Sequence, residues 1–193
     1  MKGHHFPNYG YIRCSLPSSL FQSLKKECKT AESNTPLTTG LTATPGSADH
    51  YLMSEKNTQK LFEFLIKTLE KKEFSSFVGG YLKSIKCLSN HLPPFLQAPW
   101  INVQESHEYL PRHTHDGIYS YTIWIDLPPT SIFEFQYTPS TGVLTDFKLN
   151  LTPKDEGDLV IFPATLPHIV YPFPHKGKKR ISISGNILLD ARK

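Results

Sequence analysis

Residues 112–117 hold the densest group of potential metal ligands in the chain, in the sequence Arg-His-Thr-His-Asp-Gly. If the backbone is extended here, His113 and His115 project from the same face, because side chains alternate along a strand, and both rings can reach one ion. Asp116 would point to the opposite face unless a bulge intervenes. Taken alone, a histidine pair at this spacing is explained more simply as a surface or hydrogen-bonded pair.

A third histidine follows in the second half of the chain. Residues 157–168 read Gly-Asp-Leu-Val-Ile-Phe-Pro-Ala-Thr-Leu-Pro-His, which predicts a strand, a proline turn and a second strand that begins at His168. A ligand from a neighbouring strand would complete a facial set of three and leave the opposite coordination positions open. The alternative for His168 is a core histidine whose ring is satisfied by hydrogen bonds.

Residues 180–184 suggest a binding site for a carboxylate. Arg180, Ser182 and Ser184 alternate with two isoleucines, so the three polar side chains share one strand face. The forked donors of a buried arginine can bind both oxygens of a carboxylate, and a hydroxyl two residues away adds a further bond. The alternative for Arg180 is an exposed strand residue that pairs with Asp or Glu.

The length and composition of the chain limit the scaffold that positions these residues. With 193 residues, 38% of them hydrophobic and 20% charged, we expect one domain that spans residues 1–193. No apolar run of 18 residues is present, and residues 1–13 lack the apolar stretch of a secretory signal. We therefore expect a cytoplasmic protein without membrane contact.

Neither the net charge nor the cysteine content identifies a binding partner for the chain. The formal charge of +4 is spread along the chain and gives no specific nucleic-acid signal. The three cysteines, Cys14, Cys28 and Cys87, show no paired spacing, which argues against a disulfide framework and against a thiolate zinc site. We expect reduced thiols.

Residues 1–90 are expected to form a layer of helices and strands, with the first strand at Tyr9–Arg13. Ser18 is a plausible N-cap of a short helix with apolar residues at helical spacing up to Cys28, and residues 33–50 predict a loop that could act as a flap. From Ser54 onwards a longer helix is predicted, with one apolar stripe formed by Leu61, Leu65 and Leu69 and flanked by Phe62 and Ile66.

Residues 91–193 have the composition and alternation of short β-strands, and one more strand is predicted at residues 81–88. Proline and glycine turns separate the apolar runs. Helices followed by about eight strands predict a mainly β, α+β fold, with an antiparallel barrel or sandwich packed against N-terminal helices. The predicted strands are residues 100–103, 119–127, 133–137, 143–151, 159–162, 168–173 and 180–189.

The order and spacing of these motifs resemble the double-stranded β-helix, a jelly-roll and cupin-like barrel, of the iron(II)- and 2-oxoglutarate-dependent oxygenases. Within that superfamily the chain is similar to a compact group found in tailed phages and bacteria. The resemblance is strongest over residues 100–190 and looser in the N-terminal half. The matching stretches are residues 100–103, 109–117, 120–128, 156–163, 166–173 and 180–187.

The resemblance implies a role for each of the residues picked out above. It makes His168 the distal iron ligand, Arg180 the partner of the distal carboxylate of 2-oxoglutarate, and Ser182 an auxiliary hydroxyl. Most of the superfamily has His-x-Asp for the first two ligands, whereas this chain has His113-Thr-His115. Strand parity favours His115 over Asp116 as the second ligand. The resulting three-histidine site is one charge unit more positive than a site with two histidines and one carboxylate.

The implied reaction is a hydroxylation that uses iron(II), 2-oxoglutarate and O2, and releases succinate and CO2. Two further residues are expected to contact the cosubstrate. Asn102 lies on the strand before the histidines, and Tyr121 is one of several aromatic residues near the motif. The substrate is open between a protein side chain, a nucleotide and a small metabolite, and a homodimer is also left open. If the chain is phage-encoded, its location is inside the host cell.

Two rival interpretations keep the barrel but change the function. A cupin-like metalloprotein also has His-x-His and a later Gly, Pro and His, which Gly157, Pro163 and His168 match in order. However, residues 118–121 contain no acid where cupins usually have Glu, and Arg180 with Ser182 favours 2-oxoglutarate. The second rival is a non-catalytic structural barrel that holds zinc or no metal.

Overall fold

The structure is a computed structural model that describes residues 10–34, 37, 48–71, 94–139 and 141–189. The N-terminal part contains strand β1 (Ile12–Ser15), helix α1 (Ser18–Cys28), strand β2 (Asp49–Leu52) and helix α2 (Glu55–Leu69). Short 3-10 turns lie at Ala31–Ser33 in this part and at Pro153–Asp155 farther along the chain, and the remaining elements are β-strands. These strands are β3 (Pro94–Leu96), β4 (Trp100–Glu105), β5 (Leu110–His113), β6 (Tyr119–Asp126), β7 (Ser131–Tyr137), β8 (Thr145–Leu151), β9 (Asp158–Pro163), β10 (His168–Val170) and β11 (Lys179–Leu189).

The described strands form two antiparallel sheets. The larger one has the order β1-β9-β6-β11-β4-β2, with β3 paired to one end of β11, and the smaller one has the order β5-β10-β7-β8. The mainly β fold and the double-stranded β-helix expected from the sequence are therefore confirmed. In the described part of the chain, no helix is both long and apolar enough to cross a bilayer.

The two faces of the larger sheet bury different side chains. One face packs against α1 and α2 through residues such as Leu24, Leu65 and Ile123, none of which is exposed. The other face meets the smaller sheet, where Phe162 packs with Phe133 and other apolar side chains. Because side chains alternate along each strand, a residue's parity decides whether it meets the helices or the smaller sheet.

The helices follow the predicted periodicity with two differences. Helix α2 is capped by Ser54, whose hydroxyl accepts a hydrogen bond from the Asn57 N–H, and it buries Leu61 and Leu65. Ile66, which was expected beside this stripe, is 48% exposed. Ser18 is the first helical residue of α1 and not its N-cap, because Pro17 is extended and its carbonyl accepts the first helical bond from Phe21.

Several predicted strand limits shift in the structure. The first strand is Ile12–Ser15 instead of residues 9–13, and Asp49 and His50, expected in a loop, begin β2. The strand expected at residues 143–151 begins at Thr145, and the one expected at 168–173 ends at Val170. The strand predicted at residues 81–88, and most of the predicted loop, lie outside the described residues.

Candidate metal centre and its cavity

The structure brings His113, His115 and His168 together. One potential ligand nitrogen from each ring lies within 4.8 Å of the other two. His113 ends β5 and His168 begins β10, and the two residues are direct partners in the register of this strand pair. His115 is held by a 2.8 Å hydrogen bond from its backbone N–H to the Ala164 carbonyl, in the turn that leads to His168. Three imidazoles therefore converge at one end of the smaller sheet.

Backbone carbonyls set the orientation of two of the three rings. Nδ1 of His113 lies 2.7 Å from the Pro111 carbonyl oxygen, and Nδ1 of His168 lies 3.0 Å from the Leu166 carbonyl oxygen. Because a carbonyl only accepts hydrogen bonds, Nδ1 carries the proton in both neutral rings, and Nε2 is left with its lone pair free. This is the tautomer that a metal ligand requires.

Burial keeps the three rings uncharged. The pKa of His168, which is 3% exposed, is lowered to about 3 by desolvation and by the proximity of His113. Desolvation, followed by His113, lowers the pKa of His115 to about 4, and the pKa of His113 is also lowered by burial. Three neutral imidazoles suit a divalent first-row metal ion such as iron(II).

Asp116 does not join this group. Its side chain is exposed, whereas the rings of His113 and His115 are largely removed from water. The chain turns back at Gly117, where φ is +102° and an added Cβ would lie 2.7 Å from the Ile187 carbonyl oxygen of β11. Glycine is required at this position because the loop lies directly against β11.

Arg180 is a buried cation with an unused donor. It is 4% exposed, and its Nε and Nη2 donate to Oε1 of Gln104 at 3.1 and 2.6 Å. Nη2 also donates to the Tyr171 carbonyl at 2.6 Å, and the guanidinium stacks over Phe173 at 5.5 Å. Nη1 is buried without a hydrogen-bond partner, and no carboxylate of the described residues pairs with Arg180.

The absence of a counter-ion among these residues has an electrostatic consequence. Desolvation lowers the pKa of Arg180 to about 9, the direction expected for a cation moved out of water. An anion bound at Nη1 would reverse this effect and satisfy the free donor at the same time. The alternative of an exposed arginine paired with Asp or Glu is excluded by its burial.

A polar row on the same sheet face continues from Arg180. Ser182 is the register partner of Asn102, and Ser184 is the partner of Thr122 on β6. The amide of Asn102 donates to the hydroxyls of Ser182 at 3.2 Å and Ser184 at 3.0 Å, while its oxygen accepts from the Trp100 indole at 3.0 Å. Asn102 thus orders two serines, and the Ser182 hydroxyl keeps its hydrogen for another acceptor.

The three histidines, Arg180 and the polar row line one cavity of about 620 Å³ between the two sheets. Apolar residues such as Phe133 and Leu151 form part of its wall. The larger sheet contributes side chains of one parity from three adjacent strands. These are Trp100, Asn102 and Gln104 from β4, Thr122 and Trp124 from β6, and Arg180, Ser182, Ser184 and Asn186 from β11.

The structure corrects the prediction for Tyr121. This residue points to the helix side of the larger sheet, has no exposed surface, and does not line the cavity. Burial raises the pKa of its phenol, and the hydroxyl fits against Gly185, where a Cβ would lie 2.4 Å from the oxygen. The neighbouring Thr122 has the parity that faces the cavity, so the contact was assigned to the wrong face of β6.

Sequence reasoning missed four cavity or support residues. Gln104 shares strand parity with Asn102, and this signal could have found it, whereas Thr122 has the opposite parity to Tyr121, the β6 residue that was named. Tyr171 contacts Arg180 through its backbone carbonyl, which no side-chain pattern reveals. His50 was assigned to a loop, but it lies on β2 opposite Asn102 and lines the cavity.

Comparison with known proteins agrees with this arrangement. Residues 98–186 match the sequence model of the family described as "Putative 2OG-Fe(II) oxygenase". This stretch contains all three histidines, Arg180 and Ser182. No curated protein matches the chain.

Solved structures share the fold at low sequence identity. A prolyl-4-hydroxylase from Pseudomonas putida is 17% identical with a TM-score of 0.58, and the match covers 92% of this chain and 91% of that one. HygX from Streptomyces hygroscopicus, solved with nickel, 2-oxoglutarate and hygromycin B, is 10% identical with a TM-score of 0.60, covering 95% and 84%. The epimerase SnoN from nogalamycin biosynthesis is 12% identical with a TM-score of 0.59, covering 95% and 79%.

Proposed function

Because residues 98–186 match the sequence model of the 2OG-Fe(II) oxygenase family, we propose that the chain is an iron(II)- and 2-oxoglutarate-dependent dioxygenase that hydroxylates its substrate. The observation that carries the proposal is the pairing, in one cavity, of three neutral histidines with a buried arginine that has a free donor. When bound, iron(II), 2-oxoglutarate and O2 supply the oxidation of a C–H bond, with succinate and CO2 as co-products.

In this proposal His113, His115 and His168 would hold the iron, with His113 and His168 binding through Nε2 because Nδ1 of each is bonded to a backbone carbonyl. The carbonyls of Pro111 and Leu166 fix two of the rings, so little conformational freedom is lost when the metal binds. All three ligands are neutral, so the bound ion keeps its full positive charge. This charge favours a dianionic cosubstrate such as 2-oxoglutarate.

Arg180 binds the carboxylate of 2-oxoglutarate that is distant from the metal. Its Nη1 is the free donor, while Nε and Nη2 are already fixed by Gln104 and Tyr171, so the guanidinium is oriented before the ligand arrives. Ser182 donates its hydroxyl hydrogen to the same carboxylate. Asn102 acts on the cosubstrate through this serine, because both ends of its amide are already bonded.

The same residues favour this function over a cupin-like metalloprotein without 2-oxoglutarate. A three-histidine site alone serves both, but a buried arginine without a counter-ion is costly unless an anion binds there. Arg180 therefore separates the two functions, and it also argues against a barrel with a purely structural role.

The proposal also includes the domain organisation and the cellular location expected from the sequence. We treat the chain as one oxygenase domain, because β1 and β2 from its N-terminal part pair with β9 and β4 of the same sheet. A cytoplasmic location, with Cys14 and Cys28 as reduced thiols, is part of the same proposal. The phage origin, the homodimer and the substrate stay predictions.

The test is succinate release by the purified chain with iron(II), 2-oxoglutarate and O2, without added substrate. Many oxygenases of this chemistry turn over slowly in this uncoupled way, and we expect succinate only when iron(II) is present. His168→Ala should abolish both iron binding and turnover, whereas alanine at the exposed His107 should change neither. Iron binding without any 2-oxoglutarate consumption would favour the cupin-like function.

The second ligand is tested by comparing alanine variants at adjacent positions. We expect His115→Ala to lose iron affinity at least as severely as His113→Ala, and Asp116→Ala to retain it, because Asp116 is exposed. Iron titration under nitrogen measures all three. If Asp116 is indispensable and His115 dispensable, the site has two histidines and one carboxylate.

A further inference from the structure

The cavity extends beyond the metal centre to the edge of the larger sheet. Here β2 pairs with β4, and the register places His50 opposite Asn102 and Leu52 opposite Trp100. Leu52 is 57% exposed, and Gln97 is exposed as well, so this end of the cavity is its mouth. We call the region formed by His50, Leu52, Gln97 and Trp100 the outer chamber.

Trp100 connects the outer chamber with the metal centre. Its ring centroid lies 6.4 Å from that of His50 and 6.3 Å from that of His115. Arg180 is farther away, because its register partner Gln104 lies four residues along β4 from Trp100, or about 13 Å at strand spacing. A group seated on Trp100 is therefore beside the metal centre and away from the 2-oxoglutarate anchor.

The outer chamber offers no charged partner. Among the described residues that line the whole cavity there is no Asp, Glu or Lys, and Arg180 is the sole permanent charge. Once dianionic 2-oxoglutarate balances the charge of iron(II), a cationic or anionic group would lose its hydration here without gaining an ion pair with a described residue of the cavity.

His50 supplies one unused polar atom. Its Nε2 is buried and has no hydrogen-bond partner among the described residues. Burial lowers the pKa of this imidazole, so the ring is neutral at neutral pH and Nε2 can take part in one hydrogen bond to a neutral group. An unpartnered buried polar atom in an open cavity points to a ligand atom that completes it.

We propose that the outer chamber binds an uncharged part of the substrate, which packs on Trp100 and forms a hydrogen bond with Nε2 of His50. The inference rests on the proposed function, since it assigns the anionic end of the cavity to 2-oxoglutarate. The substrate class is then a molecule with a neutral group that has an apolar face and one hydrogen-bonding atom. Charged side chains and phosphate groups are excluded from this chamber.

Three probes of equal size isolate the effect of charge. Benzamide, benzoate and benzamidinium share a ring and a planar head but are neutral, anionic and cationic. The full chain is loaded with zinc, which is diamagnetic and does not support turnover, and with 2-oxoglutarate. Both tryptophans of the chain line the cavity, so the two indole N–H resonances report separately on Trp100 in the outer chamber and on Trp124 near Ser182.

We expect benzamide to shift the Trp100 resonance and to bind at least tenfold more tightly than either charged probe. His50→Phe keeps a ring but removes the hydrogen bond, and should weaken benzamide about tenfold. His50→Gln keeps a hydrogen-bonding group and should restore most of the affinity. His107→Phe, an exposed histidine outside the cavity, is the matched control and should bind like the wild type.

Equal or tighter binding of a charged probe overturns the inference, and so does unchanged benzamide affinity in His50→Phe. The Trp124 resonance distinguishes this failure from failure of the proposed function. If 2-oxoglutarate alone does not shift Trp124, the cosubstrate assignment is wrong whatever the probes do. If 2-oxoglutarate shifts Trp124 and the probes do not differ, the outer-chamber inference alone is wrong.

Discussion

Arg180 shows how one residue can determine the choice of cosubstrate. Its side chain is buried, three of its polar contacts are already made, and Nη1 remains free. Lysine at this position would keep the charge but lose the fork, and alanine would leave a bound carboxylate unpaired. A broken buried pair costs about 3 to 5 kcal/mol, which is about two to four orders of magnitude in affinity.

We therefore predict that 2-oxoglutarate affinity falls in the order wild type, Arg180→Lys, Arg180→Ala, with little change in iron affinity. Calorimetric titration of the zinc-loaded protein measures both variants. Thermal unfolding gives an independent check, because a ligand that binds only the native state raises its stability. Equal stabilisation of all three proteins by 2-oxoglutarate would show that Arg180 is not the anchor.

Tyr171 is a positioning residue for this anchor. Its backbone carbonyl accepts from Arg180, while its hydroxyl donates at 2.9 Å to Oε2 of Glu134, a carboxylate that is 1% exposed. Oxygens of Glu134 also lie 3.5 Å from Arg112 and 3.7 Å from Lys148. The hydroxyl of Tyr171 thus ties the residue whose carbonyl accepts from Arg180 to a buried carboxylate of β7.

We predict that Tyr171→Phe raises the KM for 2-oxoglutarate several-fold and leaves kcat for uncoupled succinate release nearly unchanged. The variant removes one hydrogen bond to a charged group but keeps the ring and the backbone carbonyl. Tyr109→Phe, at a tyrosine that is 41% exposed, serves as control. A fall in kcat at constant KM would point to a different role for Tyr171.

Local spacing predicted that His113 and His115 share a face, whereas the role of His168 as third ligand came from the order of the motifs and the family resemblance. The parity of His113 and His115 depends only on the backbone near them, and the structure brings both rings beside His168. The prediction for Tyr121 was wrong because strand β6 has two faces, and distant elements determine which face meets the helices. The polar parity of Ser120 and Thr122 was the available signal.

At the scale of elements, short edge strands and loops limit the prediction most. Strand β2 has four residues and its pairing partner β4 lies about 50 residues later in the chain, so its formation depends on a non-local contact. It was therefore assigned to a loop. The same strand carries His50 into the cavity, which explains why the outer chamber could not be predicted from the sequence.

The loop after β5 offers a test at this scale. Gly117 has φ +102°, and a Cβ there would meet backbone and side chain of β11 at 2.7 Å. We predict that Gly117→Ala lowers the free energy of unfolding by about 1 to 3 kcal/mol and weakens iron binding, because the displaced loop carries His115. Gly142→Ala is the matched control, since Gly142 has φ +77° and nothing within 4 Å of an added Cβ.

Urea unfolding and iron titration of both glycine variants separate backbone strain from displacement of the site. Gly142→Ala should lose some stability through its backbone conformation alone and keep the iron affinity of the wild type. If Gly117→Ala also keeps wild-type iron affinity, the loop does not position His115.

For the whole molecule, the larger sheet divides the buried side chains into two environments. The face toward the helices is apolar and stabilises the fold, and the face toward the smaller sheet contains the polar row, Arg180 and the histidines. The packing of the whole fold must therefore compensate the desolvation free energy of these buried polar groups. Binding of a metal and an anion would recover it.

The pH dependence of unfolding measures the free-energy cost of keeping His168 buried and neutral. His168 has a folded pKa of about 3 against 6.5 when unfolded, so between these values the unfolded chain binds a proton that the folded chain does not. The free energy of unfolding then rises with pH, and the stability is lost as pH falls below about 6.5. For a group this buried, the loss at pH 5.5 is about 1.4 kcal/mol relative to pH 7.5.

We predict that the metal-free protein becomes less stable from pH 7.5 to 5.5, and that His168→Gln makes this dependence shallower by about 1.4 kcal/mol. The comparison uses the difference between two pH values, so any packing defect of glutamine that is independent of pH cancels. His107→Gln, at an exposed histidine, should leave the profile unchanged. Urea unfolding at several pH values measures all three proteins, and parallel profiles for wild type and His168→Gln would show that His168 is not held neutral by the fold.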